Sequence, residues 1–255
     1  MTDMNDRIRQ RLARMESEQD VRLLYACESG SRAWGFPSAD SDYDVRFIYV
    51  RSRDWYLRLD VERQRDVIEY PIDDLLDING WDLKKALNLF SRSNPSLIEW
   101  LHSPIVYCQD TNFLTALRGL LPLYYSERAC FYHYRQMARG NYREYLRGDQ
   151  VRVKKYFYVL RPLLALRWIA AGRGVVPVDF RELLDATLED GLLKRDIHSL
   201  LERKKEGLES DYAPPIASIS RFIARELDNP AVPEFAPPPV GMDALNQLFL
   251  KVLKP

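Results

Sequence analysis

Apolar residues fall into two rhythms along the chain, a short-period one in the first third and a helical one from about residue 82 onward. Residues 5–18 place Ile8, Leu12 and Met15 at helical spacing among charges, with Asn5 or Asp6 as the predicted cap. Residues 21–27 and 45–50 are rich in β-branched, aromatic and aliphatic types and predict two strands. Residues 66–72 and 75–78 predict two further short extended pieces, so the four would make a small sheet. From Asp82 the spacing of Leu83, Ala86, Leu87 and Phe90 is helical; it breaks at Asn94-Pro95 and resumes through Leu97, Ile98 and Leu101.

Beyond about residue 110, period-two alternation is confined to a short connection at 174–178. Helical patterns cover 124–146, 151–171, 180–188, 192–205 and 216–227, which predicts a bundle. A Pro-rich connector at 229–239 then precedes a last helix at 242–253, and its composition suits a stiff spacer. The predicted fold class is α/β (α+β): a small mixed-sheet domain over residues 1–122, a helical bundle over 123–228, and the connector with its helix over 229–255.

With 255 residues and 46% hydrophobic content, the chain has enough apolar material for a sizeable core. The 37 basic and 37 acidic residues cancel, so affinity for a polyanion or a membrane surface would have to come from local patches. Residues 131–173 form one such patch, with ten Lys or Arg against Glu144 and Asp149. Within it Arg135, Arg139, Arg143 and Arg147 recur every four residues as a stripe along one helix, a candidate for contact with an acceptor or, more simply, a solvated face. Cys27, Cys108 and Cys130 are too dispersed for a zinc or redox pair, and His102, His133 and His198 show no catalytic or ligand spacing. The polar start and the lack of a long apolar run predict a cytoplasmic protein without a membrane span.

The chemistry concentrates at 28–46, where Gly30-Ser31 is followed by Asp42 and Asp44 between the first two predicted strands. Residues two apart in a strand share a face, so both carboxylates would point one way, with Arg46 in reach of them. Two like charges about 4 Å apart cost on the order of 4 kcal/mol at an effective dielectric near 20, a cost that a bound cation removes. A hard cation such as Mg takes oxygen ligands. Gly30 lets the backbone approach a ligand closely, and Ser31 with the following amides can donate to phosphate oxygens. Taken alone, the same residues would also suit a surface loop with solvated acids, while Trp34 and Phe36 suit packing of the turn.

The strings Gly-Ser-Arg-Ala-Trp-Gly (30–35) and Ser-Asp-Tyr-Asp-Val-Arg (41–46) resemble the signature of the polymerase β-type nucleotidyltransferase superfamily. They are most similar to its branch of bacterial and phage nucleotidyltransferases associated with RNA repair. Residues 83–101 and 155–164 are also similar to that branch, so the resemblance covers most of 23–170 and stops before about 210. It implies a third carboxylate on a later strand. Among Asp73, Asp74, Asp77 and Asp82, Asp77 stands between Leu76 and Ile78 at the family's position, whereas Asp82 suits the cap of the next helix.

The resemblance further implies two Mg ions, or Mn in their place, on Asp42, Asp44 and Asp77. Asp77 would help to deprotonate the acceptor, and Gly30 and Ser31 would hold the nucleotide phosphates together with Arg32. Lys154, Tyr158 and Arg161, at i, i+4 and i+7, are the implied phosphate-binding residues of the bundle, while Arg135, Arg139 and Arg143 are candidate acceptor contacts on the charge of their stripe alone. The implied activity is transfer of a nucleoside monophosphate from a nucleoside triphosphate such as ATP to a hydroxyl, an RNA end first. The alternatives are a protein or small-molecule acceptor, as in nucleotidylating antitoxins, and a catalytically silent nucleotide- or RNA-binding module. Base preference and oligomeric state are not legible.

Overall fold

Helix α1 (Met4–Gln19) turns Ile8, Leu12 and Met15 inward, and Asp3, one residue ahead of it, accepts from the Asn5 amide as the cap instead of Asn5 or Asp6. A computed structural model describes residues 3–73, 75–207, 212–229, 231–235 and 241–254. Asp74 and part of the Pro-rich connector lie outside the described residues. Two units emerge: Met1–Ala33 with Asp42–Tyr125 and Pro238–Pro255, and Trp34–Ser41 with Ser126–Pro237.

The first unit is built on β1 (Arg22–Glu28), the short helix α2 (Gly30–Ala33), β2 (Tyr43–Val50), the turn α3 (Arg53–Tyr56), β3 (Val67–Glu69) and β4 (Leu76–Asp82). It continues with α4 (Leu83–Ser91), α5 (Pro95–Leu101), β5 (Val106–Gln109), α6 (Thr111–Gly119) and α7 (Leu121–Tyr124). The strands form one sheet in the order β3-β4-β2-β1-β5. Only β2 and β4 run parallel, and their register pairs Asp44 with Asp77. The sheet is mixed, as predicted, with β5 as a strand that the sequence pattern did not announce. β1 is buried at six successive positions, the mark of a strand covered on both faces. The α1 stripe packs with Leu23, Phe47, Tyr49 and Ile78 in one core, while α4 packs on β2 and β4, and α6 on β1.

Asp82 closes β4 and caps α4, its carboxylate accepting from the Lys84 amide at 2.8 Å and from the Tyr56 hydroxyl at 2.8 Å. Asn94 caps α5 the same way, with Pro95 in the first turn, where its missing N–H costs nothing. The C-terminal helix (Asp243–Val252) also belongs to this unit, packing on α4 and α6.

The second unit runs from α8 (Glu127–Tyr145) through the two-residue strand β6 (Val151–Arg152), α9 (Lys155–Ala170), α10 (Phe180–Thr187), α11 (Leu192–Lys205), β7 (Tyr212–Ala213) and α12 (Ala217–Asp228). The pattern at 151–171 had predicted one helix, whereas residues 151–152 instead pair with β7. Helix α9 is buried almost all round and forms the centre of the bundle. Pro162 inside it supplies no N–H for the Tyr158 carbonyl four residues back; the Asn141 side-chain amide of α8 donates to that carbonyl instead, at 2.7 Å. Trp34–Ser41 belongs to this unit through aromatic packing. Phe36 is buried with ring centroids 4.7 Å from Phe157 and 5.3 Å from Phe180, and the Phe180 amide donates to the Trp34 carbonyl at 3.0 Å.

Candidate active site

Strand β1 ends where Gly30 takes φ +59°, a left-handed turn that carries the chain from the sheet into α2. A Cβ built on Gly30 would lie 2.0 Å from Asp44 Oδ2 and 2.9 Å from its Cγ, so only glycine leaves room for that carboxylate. On the other side of Asp44, the β2–β4 register sets Asp77 directly beside it on the same face. Arg46, two residues along β2, spans the pair. Its Nη2 donates to Asp44 Oδ1 at 3.1 Å and to Asp77 Oδ2 at 2.7 Å, and its Nη1 donates to the Val45 and Asp77 carbonyls at 3.1 Å each. All three side chains are less than one-third exposed. Burial raises the Asp44 carboxyl above the usual carboxylate range, the Arg46 guanidinium opposes that shift, and the Asp77 and Asp42 charges add to it.

Asp42 stands one residue before β2 and is exposed, so it does not share the strand geometry of Asp44 as alternation had predicted. Its carbonyl accepts from Arg32 Nε at 3.1 Å, while the Arg32 guanidinium lies 3.6 Å from the centre of the Tyr43 ring. Arg32 thus ties α2 to the start of β2. Ser31 is half-buried in the first turn of α2.

Behind these residues lies a group the sequence reading passed over. Glu28, the last residue of β1, is fully buried, and its Oε1 accepts from the Asp44 amide at 2.8 Å. Its Oε2 accepts from the Tyr107 hydroxyl of β5 in a short hydrogen bond. Burial pushes the Glu28 carboxyl up to about 7 against the pull of those two donors. The available signal was a lone carboxylate ending an apolar strand just before a Gly-Ser turn.

The three sequence-derived residues of the bundle occupy different settings in the second unit. Arg161 is 2% exposed, donates to the Pro177 carbonyl at 3.2 Å and lies 4.9 Å from the Trp34 ring centre. Tyr158 is 44% exposed, and Lys154 precedes α9 as its cap. Lys155, which had not been singled out, lies 4.2 Å and 4.6 Å from the ring centres of Tyr145 and Tyr158. In the arginine stripe, Arg135 donates to the Asn229 carbonyl at 3.0 Å and Arg139 to the Leu227 carbonyl at 3.3 Å, at the negative end of α12. Arg143 is exposed and donates back to the Arg139 carbonyl at 3.3 Å. Two arginines of the stripe therefore satisfy helix-end carbonyls, a structural use of what the sequence shows as unrelieved charge.

The donor set at Asp44 and Asp77 consists of oxygens alone, the chemistry that Mg and Mn take. A guanidinium bridging the two carboxylates marks the same place as one that favours positive charge, and the missing Cβ of Gly30 keeps it open. The pair fits a divalent cation. Among the described residues there is no group of three or more His, Cys, Asp or Glu side chains that could hold a metal ion.

Comparisons with known proteins give the family of the chain. The chain is 49% identical over 225 residues to the "Uncharacterized protein YcgL" of Bacillus subtilis (strain 168), covering 88% of this chain and 86% of that one. It also aligns with the crystal structure of a nucleotidyltransferase-like protein from Exiguobacterium sibiricum 255-15 over 96% of this chain and 79% of the other. The two chains are 13% identical, with a TM-score of 0.31. The sequence model described as RlaP, "RNA repair pathway DNA polymerase beta family", matches residues 4–251, well past the point near 210 where the motif resemblance ended. Since the match spans both units, the chain belongs to the RNA repair pathway DNA polymerase beta family.

Proposed function

We propose that the protein transfers a nucleoside monophosphate from a nucleoside triphosphate to the terminal hydroxyl of an RNA, releasing pyrophosphate. The observation that carries this reading is the fit of Gly30 against Asp44 with Asp77 as its strand partner, since a bare glycine there serves a carboxylate that must stay open. Asp44 and Asp77 would hold a divalent cation, with Asp42 drawn in from its exposed position. Bound there, the cation would neutralise triphosphate charge, which is most of what phosphoryl-group chemistry asks of a protein.

The chain's own groups do the rest. The amides at the start of α2 and the Ser31 hydroxyl donate to phosphate oxygens, and Gly30 lets them approach. Arg32, held over Tyr43, supports the turn from the side. The acceptor oxygen bonds to the α-phosphorus, the bond from that phosphorus to the β-phosphate oxygen breaks, and pyrophosphate leaves with the electron pair. The hydroxyl proton passes to the Asp77 carboxylate and on to water. Lys154, Tyr158 and Arg161 are assigned to the nucleotide by the resemblance, and Arg161 also packs on Trp34.

The acceptor is tested by incubating the protein with Mg, each α-labelled nucleoside triphosphate, and RNA oligonucleotides ending in a 3′-hydroxyl or a 3′-phosphate. Label on the hydroxyl-ended RNA alone is the expected result. Label on protein or on a small product would move the acceptor to the nucleotidylating alternatives. Triphosphate binding without any label would leave a silent module.

A further inference from the structure

Antiparallel pairing of β1 with β2 makes Glu28 the partner of Val45, so Ser29 and Asp44 come next in the ladder. Half of that pair is made in the usual way, the Ser29 amide donating to the Asp44 carbonyl at 2.8 Å. The return bond from the Asp44 amide goes not to a main-chain carbonyl but to the Glu28 carboxylate, where the left-handed turn at Gly30 carries β1 out of the sheet.

We propose that Glu28 and Tyr107 are a positioning pair: a buried carboxylate, held from β5 by a phenol, that takes the place of the missing ladder acceptor and sets Asp44 against Gly30. This inference rests on the transfer reaction assigned above to Asp44. Its reach across the sheet is unusual for one side chain. β1 lies between β2 and β5, and Glu28 binds the Asp44 amide on one side and the Tyr107 hydroxyl on the other. The Glu28 main chain is fixed as well, its amide donating to the Ile105 carbonyl at 2.9 Å and its carbonyl accepting from the Ser103 hydroxyl at 2.6 Å. A carboxylate with no exposed surface is a costly way to join three strands, since an apolar residue of like volume would pack there without desolvation. What an apolar residue cannot do is hold the Asp44 amide while the main chain turns away at Gly30. The pair acts through Asp44 and touches no substrate.

Three variants separate positioning from bulk stability. Glu28→Gln keeps an acceptor for the Asp44 amide and a partner for Tyr107, Glu28→Leu keeps only volume, and Tyr107→Phe removes one hydroxyl. The first readout is hydrogen exchange of the Asp44 amide in metal-free protein, which needs no turnover. Protection is expected in the wild type and Glu28→Gln, and loss of at least tenfold in Glu28→Leu.

The second readout is the kinetic split. Glu28→Leu is expected to lose about 10²-fold in kcat with KM for the triphosphate within about threefold, as displacement of a reacting group by about 1 Å does. Tyr107→Phe is expected to lose about tenfold, and Glu28→Gln to stay within a few-fold of wild type. Glu28→Leu that folds with wild-type kcat and a protected Asp44 amide overturns the proposal, as does Glu28→Gln losing as much as Glu28→Leu. If Glu28→Leu does not fold, Tyr107→Phe decides: an unchanged kcat with unchanged Asp44 exchange overturns the pair. A wild type that transfers no nucleotide would sink the assigned reaction, while the exchange measurement would still read the pair.

Discussion

Replacing Gly30 by Ala perturbs the site by a single methyl group whose consequences follow from two numbers. At φ +59° an L residue pays about 1 kcal/mol of backbone strain. The new Cβ would also meet Asp44 Oδ2 at 2.0 Å, against the 3.4–4 Å of ordinary van der Waals contact, so the carboxylate or the turn must shift by more than about 1 Å. The Asp44 main chain is held at its carbonyl by Ser29 and at its amide by Glu28, so the shift falls on the carboxylate and pulls it from Arg46. The expected outcome is a folded protein with Tm lower by about 2–8 °C, from about 1–2 kcal/mol in a chain of this size, and transfer slower by about 10²-fold. Gly172→Ala is the matched control, with φ +65° and no heavy atom within 4 Å of the new Cβ. It should lose stability alone. Steady-state transfer and thermal unfolding of the two variants side by side check the reasoning. Gly30→Ala with wild-type transfer, or Gly172→Ala with an equal loss of transfer, would refute it.

Arg46→Met removes the cation between Asp44 and Asp77 and leaves two half-buried carboxylates side by side. Denaturant unfolding at pH 7 should show a loss of about 1–3 kcal/mol, part of which added Mg restores; a variant as stable as wild type, without a response to Mg, would deny the bridge its role. In the second unit, Asn141→Ala strips a side-chain donor from the Tyr158 carbonyl and should cost about 1 kcal/mol. Pro162→Ala on that background returns a main-chain N–H to the same carbonyl and should recover most of the loss, whereas no recovery in thermal melts would mean that Asn141 stabilises by another route.

Features set by short-range spacing were legible in the sequence. The α1 stripe, the break at Asn94-Pro95 and the Asp82 cap all depend on residues within a turn or two of one another, and the structure holds each of them. The shared face of Arg46 and Asp44 followed from strand parity, which is equally local. Strand β5 was missed because four residues are too few for alternation to show, and its place beside β1 is a long-range pairing. The grouping of Trp34–Ser41 with the helical unit depends on Phe36 meeting Phe157 and Phe180, which lie more than a hundred residues away in sequence. Glu28 was overlooked for a related reason. A carboxylate at the end of a strand reads as solvated until β5 brings Tyr107 over it. The partners of the arginine stripe were hidden in the same way, since the carbonyls at the end of α12 that Arg135 and Arg139 satisfy are some ninety residues further along the chain.

The proposed nucleotidyl transfer requires Asp44 and Asp77 together. It is tested most directly by following pyrophosphate release and α-label transfer from nucleoside triphosphate in Mg, for the wild type and for Asp44→Asn and Asp77→Asn, each shown to be folded by its melting curve. Label transfer and pyrophosphate release in step are expected for the wild type, with a fall of at least about 10²-fold in either variant. Transfer that persists in both folded variants would contradict that requirement.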